Sequence, residues 1–190
     1  DGTTSRGLGD VYKRQILDEI MRVTNPRNII CSISGLREGS LSIDYFKDVK
    51  ESEIFHKALE NIAKKRGDLG SNYKKYYDFI QPVFEGNEHF NKKLLYLACV
   101  LSHMDWGLGA FQKAELVFQE TINTPLLRLT HKERIQLALS CYWRYCSIKY
   151  NPKMEYLTFL NNNEIFSSKQ VGAALRLSLI HISEPTRRST

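Results

Sequence analysis

Apolar side chains recur along most of this chain at helical spacing, and only one short stretch breaks the pattern toward a strand. Ile16, Leu17, Ile20 and Val23 share one side of a helix predicted over residues 16–23. Asn25-Pro26 should stop it, because proline restricts the residue before it and cannot donate to the helical ladder. The run Asn28-Ile29-Ile30-Cys31-Ser32-Ile33-Ser34 is β-branched and ends at Gly35, which predicts a buried strand. Helix, proline turn and strand make one αβ step of a layered α/β domain. A lone strand is not stable, so residues 16–50 read as the end of a domain whose remaining strands lie elsewhere.

From about residue 52 the pattern is helix after helix. Ile54, Ala58, Leu59, Ile62 and Ala63 form one apolar stripe. Tyr73, Tyr76, Tyr77, Ile80 and Phe84 form another, with Pro82 near its end. Phe90 to Met104 is apolar on most sides, as expected of a central bundle helix. Thr130-His131-Lys132-Glu133 has the capping-box spacing and opens a helix through Ile135, Leu137, Ala138, Cys141, Tyr142 and Tyr145. Ser167-Ser168-Lys169-Gln170 repeats that signal before Val171, Ala174 and Leu175, and Asn161-Asn162-Asn163 reads as a turn between the two helices. No internal repeat is visible. The fold class expected is mainly α: about six helices over residues 51–177, following the αβ remnant.

Composition supports a packed core. The chain has 190 residues, 42% hydrophobic and 25% charged, which is ordinary globular usage. No apolar run is long enough for a transmembrane helix, and no secretory leader pattern stands near the N-terminus. Cys31, Cys99, Cys141 and Cys146 form no CxxC pair and sit among apolar or aromatic neighbours. Buried free thiols in a reducing, cytoplasmic compartment are expected.

Both ends are set apart. Gly9–Gln15 and Leu177–Arg188 resemble translated sequencing-adapter sequence, so residues 1–15 are expected to be artefact-like and disordered and residues 178–190 an artefact-like tail. Each end carries one of the six net positive charges, leaving a mildly basic core. That balance suits a polyanion partner but falls short of a nucleic-acid footprint, so no DNA partner is expected.

The most specific string is Ser34-Gly35-Leu36-Arg37-Glu38-Gly39-Ser40-Leu41. Gly35 and Gly39 would allow positive φ and close backbone approach. Arg37 and Glu38 leave the C-terminal end of an α/β strand, where such sheets present ligand-facing groups. The competing reading makes the pair a brace for the turn or for the joint between domains. Basic and aromatic residues interleave at Tyr73-Lys74-Lys75-Tyr76-Tyr77 and at Tyr142-Trp143-Arg144-Tyr145. These could stack bases, but Tyr73, Tyr76 and Tyr77 share one helical face, which is core spacing.

The Ser34–Leu41 string resembles the motif that closes the actin-like phosphatase region of the Ppx/GppA family, the exopolyphosphatases and guanosine pentaphosphate phosphohydrolases. Leu95–Ser102 with Trp106 resembles a helix of alphaproteobacterial-type members, and Val171–Leu177 resembles the helix near the end of their C-terminal domain. The resemblance covers residues 16–177. It implies that residues 16–50 are the remnant of an actin-like (ribonuclease H-like) domain and residues 51–177 an HD-like helical domain. It implies Mg²⁺ and a catalytic glutamate with Gly-rich phosphate loops in an earlier lobe, and no segment of this sequence matches those parts. The intact enzyme would use in-line attack by water on a terminal phosphoryl group. The partners implied are polyphosphate or guanosine pentaphosphate and a second subunit, with no membrane.

This sequence departs from a working HD site, which needs adjacent His-Asp to hold metal against phosphate. It has no His-Asp dipeptide, and in His103-Met104-Asp105 the two side chains would point about 200° apart on a helix. His103 is expected at a helix end near the surface, with His56, His89 and His131 exposed. A degenerate, metal-free bundle with no catalytic residues is expected, serving in dimer contacts or lining a polyphosphate path. The alternative is a non-catalytic helical module that binds a polyanion or a protein partner.

Overall fold

The computed structural model describes residues 3–29, 35, 37, 39–40, 51–65, 72–86, 92–103, 107–124, 126, 129–149 and 154–183. The described residues are mainly helical and contain no strand. Most of the expected strand, residues 30–34, lies outside them, and Asn28 and Ile29 have no regular structure. The chain divides into two compact units, Asp1–Arg37 and Glu38–Thr190.

In the first unit, α1 spans Thr3–Thr24. It begins well before Ile16, so most of the segment set apart above continues the same helix. Its stop is the expected one: Asn25 takes a left-handed φ of 43° and Pro26 follows. From Gly9 to Thr24 every side chain is exposed except Met21, which is half-buried. Local pairs decorate it, such as the Arg22 fork on Glu19 at 2.6 and 2.9 Å.

The second unit is a helical bundle: α2 Glu51–Lys65, α3 Tyr73–Ile80, α4 Lys92–Leu101, α5 Ala110–Asn123, α6 His131–Tyr145, α7 Met154–Leu157 and α8 Asn162–Ser183. A 3-10 turn, Gln81–Phe84, follows α3 with Pro82 in its first turn, and Gly86 at φ 83° closes it. Helix α6 lies at the centre, packed against α4, α5 and α8, and every residue from Arg134 to Arg144 is buried. The sequence pattern marked Phe90–Met104 as a central bundle helix too. That segment, now α4, is buried from Leu94 to Leu101 apart from half-buried Tyr96. A buried helix can hold polar residues if their groups are paired. Helix α6 holds Arg134, Gln136, Ser140 and Arg144 in this way, all buried.

The core falls into two clusters on either side of α6. Tyr76, Tyr77, Ile80, Leu94, Leu97, Val100, Leu137, Cys141, Val171 and Leu175 belong to one. Ala114, Phe118, Ile135, Ala138, Leu139, Tyr142, Trp143 and Leu160 belong to the other. The tyrosine face of α3 is core as its spacing implied, with Tyr77 stacked on Tyr96 at 3.6 Å between ring centres. On α2 the stripe narrows to buried Leu59 and Ala63 with Ile62 half-buried, while Ala58 is exposed.

Two capping boxes start the long helices. Thr130 N donates to Glu133 Oε2 at 2.9 Å and Glu133 N donates to Thr130 Oγ1 at 3.2 Å. The second box is Asn161 with Glu164, their backbone amides donating to each other's side chains at 2.8 Å. The triple asparagine is thus the start of α8 rather than a break before it. Ser167 and Ser168 are buried inside that helix, and Ser168 Oγ donates back to Glu164 O at 2.8 Å. Helix α8 also runs past Leu177, with Ser178 buried and Ile182 half-buried against the core.

Candidate functional site

Of the four residues singled out around the Ser34–Leu41 string, Gly35, Arg37 and Gly39 are exposed, and Glu38 lies outside the described residues. Arg37, Gly39 and Ser40 have helical geometry. Among the described residues, a methyl group added at Gly39 would meet nothing within 4 Å. The division between the two units falls between Arg37 and Glu38, within the string.

The concentration of chemistry-bearing side chains lies elsewhere, where the end of α4 meets the last turn of α6. Arg144 is 3% exposed and His103 is 6% exposed. Arg144 Nη1 donates to Ser102 Oγ, and Nη2 approaches His103 Nδ1 at 3.3 Å. Tyr145 Oη donates to Ser102 O at 2.7 Å. The guanidinium carbon lies 5.5 Å from the Tyr145 ring centre and 6.0 Å from that of Tyr76, within cation–π range. The Tyr76 ring is in turn 4.7 Å from the His103 ring. Residues that follow α4 (Ser102, His103) are thereby tied to residues that end α6.

Burial sets the electrostatics of this cluster. Desolvation pulls the Arg144 guanidinium below its ordinary range, and the neighbouring Tyr145, Cys141, Tyr76 and Cys99 oppose that pull. Desolvation pushes the Cys99 thiol well up, against a smaller opposing effect of Arg144. Cys99 is therefore a protonated, buried thiol and not a nucleophile. Cys99 and Cys141 are buried, Cys146 is half-buried, and Cys31 lies outside the described residues.

No family model, curated protein or solved structure matches the chain.

One expectation changes on that geometry. His103 is at a helix end as expected, but it is buried against Arg144 and Tyr76 rather than near the surface. The Tyr142–Tyr145 segment is core, and this includes its arginine: Tyr142, Trp143 and Arg144 are all buried. Arg144 does not face a ligand from the surface. His56 and His131 are exposed, and His89, Asp105 and Trp106 lie outside the described residues. Among the described residues, no group of three or more His, Cys, Asp or Glu side chains is placed to hold a metal ion. The signal that could have found the cluster is a charged residue, Arg144, inside an otherwise apolar stretch ending a capped helix. A cation there must find polar partners indoors.

Proposed function

We propose that this chain is the C-terminal part of a Ppx/GppA-type phosphatase, an enzyme that hydrolyses terminal phosphoryl groups of polyphosphate or guanosine pentaphosphate. The reading rests on the Ser34–Leu41 string, and the boundary between the two compact units inside that string supports it as a domain joint. In this reading Glu38–Thr190 carries a degenerate HD-like helical domain. Mg²⁺, the glutamate base and the phosphate loops belong to the catalytic lobe, whose motifs this sequence lacks. Arg37 and Glu38 serve the joint.

A second reading draws on the lysines Lys57, Lys64, Lys74, Lys75 and Lys92, all exposed on α2, α3 and α4. It makes the helical unit a non-catalytic module that gathers a polyanion by summed positive potential.

Reading the source DNA upstream of Ile16 separates the two. An in-frame actin-like lobe with Gly-rich loops supports the first, and a native start near Ile16 would sink it. The purified chain is expected to release no phosphate from polyphosphate or guanosine pentaphosphate in Mg²⁺, measured by a colorimetric phosphate assay. Turnover by clean protein would overturn that expectation under either reading.

A further inference from the structure

Arg144 and Tyr145 fix where α4 and α6 meet. Arg144 Nη1 donates to Ser102 Oγ and Tyr145 Oη donates to Ser102 O at 2.7 Å, so the C-terminal ends of the two helices lie together. Three residues before Ser102 on α4 stands Cys99, and three residues before Arg144 on α6 stands Cys141. Side chains three apart are neighbours on one helical face. The two cysteines therefore hold matching positions, one turn back from the same joint.

Packing and electrostatics place them at the same seam. Both are 0% exposed, and both belong to the core cluster that also holds Ala98 and Leu137. Helices α4 and α6 bring Cα atoms within 8 Å of each other, and a disulfide spans Cα atoms about 4–7 Å apart. The Cys141 thiol is near enough to disfavour a thiolate at Cys99, and both thiols act on the Arg144 guanidinium.

We propose that Cys99 and Cys141 are a redox lock, a dithiol that a small disulfide oxidant converts into a covalent bond between α4 and α6. With oxidised glutathione, a thiolate of one cysteine attacks the glutathione disulfide, whose S–S bond breaks and releases one glutathione thiolate. The other cysteine then attacks the protein sulfur of the mixed disulfide and releases the second glutathione. The protein has lost two protons and two electrons, and the two glutathione thiols have gained them. Burial decides when this happens. Inside the folded core Cys99 is held protonated and out of reach, so oxidation waits for the core to open. The bond then forms as the helices come back together, and keeps α4 on α6.

The test is refolding of the full chain from urea with oxidised glutathione, beside a sample kept folded in the same buffer. A non-reducing peptide map of the refolded chain should contain Cys99 joined to Cys141, with the mass lower by two hydrogens. Cys31 and Cys146 offer competing partners, so the double variant Cys31→Ser, Cys146→Ser should give the same link in higher yield. The wild-type map does not depend on that variant folding. The bond closes a loop that contains all of α5, and the folding constant from urea unfolding should rise by about a hundredfold over the reduced chain. Dithiothreitol should return it to the reduced value. The sample kept folded should oxidise no faster than the slowest amides of α4 exchange. Unlinked thiols at both positions after refolding, preferential pairing of either with Cys31 or Cys146, or an oxidised chain less stable than the reduced one would each overturn the lock. Oxidation of the folded sample faster than the core opens would overturn its control by burial.

Discussion

Gly172 sits where α8 crosses α6, and the crossing is closer than any side chain permits. A methyl group there would lie 2.7 Å from Trp143 Cβ and 2.9 Å from both Ser140 O and Trp143 C. Two of these are backbone atoms of a central buried helix, which cannot swing aside as a side-chain tip can. Alanine would raise intrinsic helix propensity by about 1 kcal/mol, while overpacking of this kind costs about 1–3 kcal/mol. Gly172→Ala should therefore be destabilising on balance, by up to about 2 kcal/mol in urea unfolding, and a stabilised variant would mean that α6 and α8 can separate freely. Residue-level chemistry was only partly legible beforehand. Thr130 and Glu133 could be read as a capping box because threonine and glutamate have few other reasons to stand three apart before an apolar run. Asn161 and Glu164 make the same box. It was hidden because three asparagines in a row also satisfy a turn, and local sequence does not distinguish an asparagine that ends a helix from one that begins it. The role of Arg144 was hidden for a different reason. Its partners Ser102 and His103 are more than forty residues away in sequence, and no periodicity reports such a contact.

At the scale of elements, the end of α5 shows how the bundle satisfies groups that a helix alone cannot. The last carbonyls of a helix have no intrahelical donor. Arg134, near the start of α6 and 4% exposed, supplies a donor to one of them, Ile122 O, and to two carbonyls just beyond α5. Its Nη1 donates to Thr124 O and, at 3.4 Å, to Ile122 O, while Nη2 donates to Leu126 O at 2.9 Å. A cation at a helix C-terminus also meets the negative end of the helix dipole. The variant Arg134→Met keeps much of the packing volume but takes the charged donor away from half-buried carbonyls, and hydrogen bonds to a charged group are worth about 1.5–3 kcal/mol. A loss of about 2 kcal/mol is expected from urea unfolding, with Arg134→Lys restoring little because an ammonium cannot fork across three carbonyls. A neutral result for methionine would show that the arginine is dispensable as a cap. Helix α5 itself illustrates the limit of pattern reading. Its buried face is Ala114, Val117, Phe118 and Thr121, at i, i+3, i+4 and i+7. Alanine and threonine are too small and too polar to mark a stripe, so the spacing was present but faint. The tyrosines of α3 announced their face, because large apolar bodies at helical spacing are seldom left in water.

At the scale of the whole molecule, the two units differ in what holds them. The helices of Glu38–Thr190 bury two clusters of side chains around α6, so opening any one of them exposes apolar surface. Helix α1 has no such support among its own residues: Val11, Tyr12, Ile16, Leu17, Ile20 and Val23 are between 46% and 69% exposed. Most helical stability in proteins comes from packing an apolar face rather than from intrinsic propensity, and the apolar residues of α1 are exposed. Segments with few buried contacts open at little cost, and a protease cuts the open form. Lys13, Arg14, Arg22 and Arg27 are exposed and offer trypsin several sites there. Brief digestion under native conditions should therefore cut first within residues 9–29 and leave a fragment retaining α2 to α8, identified by intact-mass spectrometry. That fragment should keep a cooperative melt, because both core clusters lie within it. If cleavage inside α6 or α8 came as early as cleavage inside α1, the bundle would lack the cooperative core that its packing describes. If α1 survived as long as the bundle, its exposed apolar face would have to be covered in solution, and a concentration-dependent digestion rate would identify another copy of the chain as the cover.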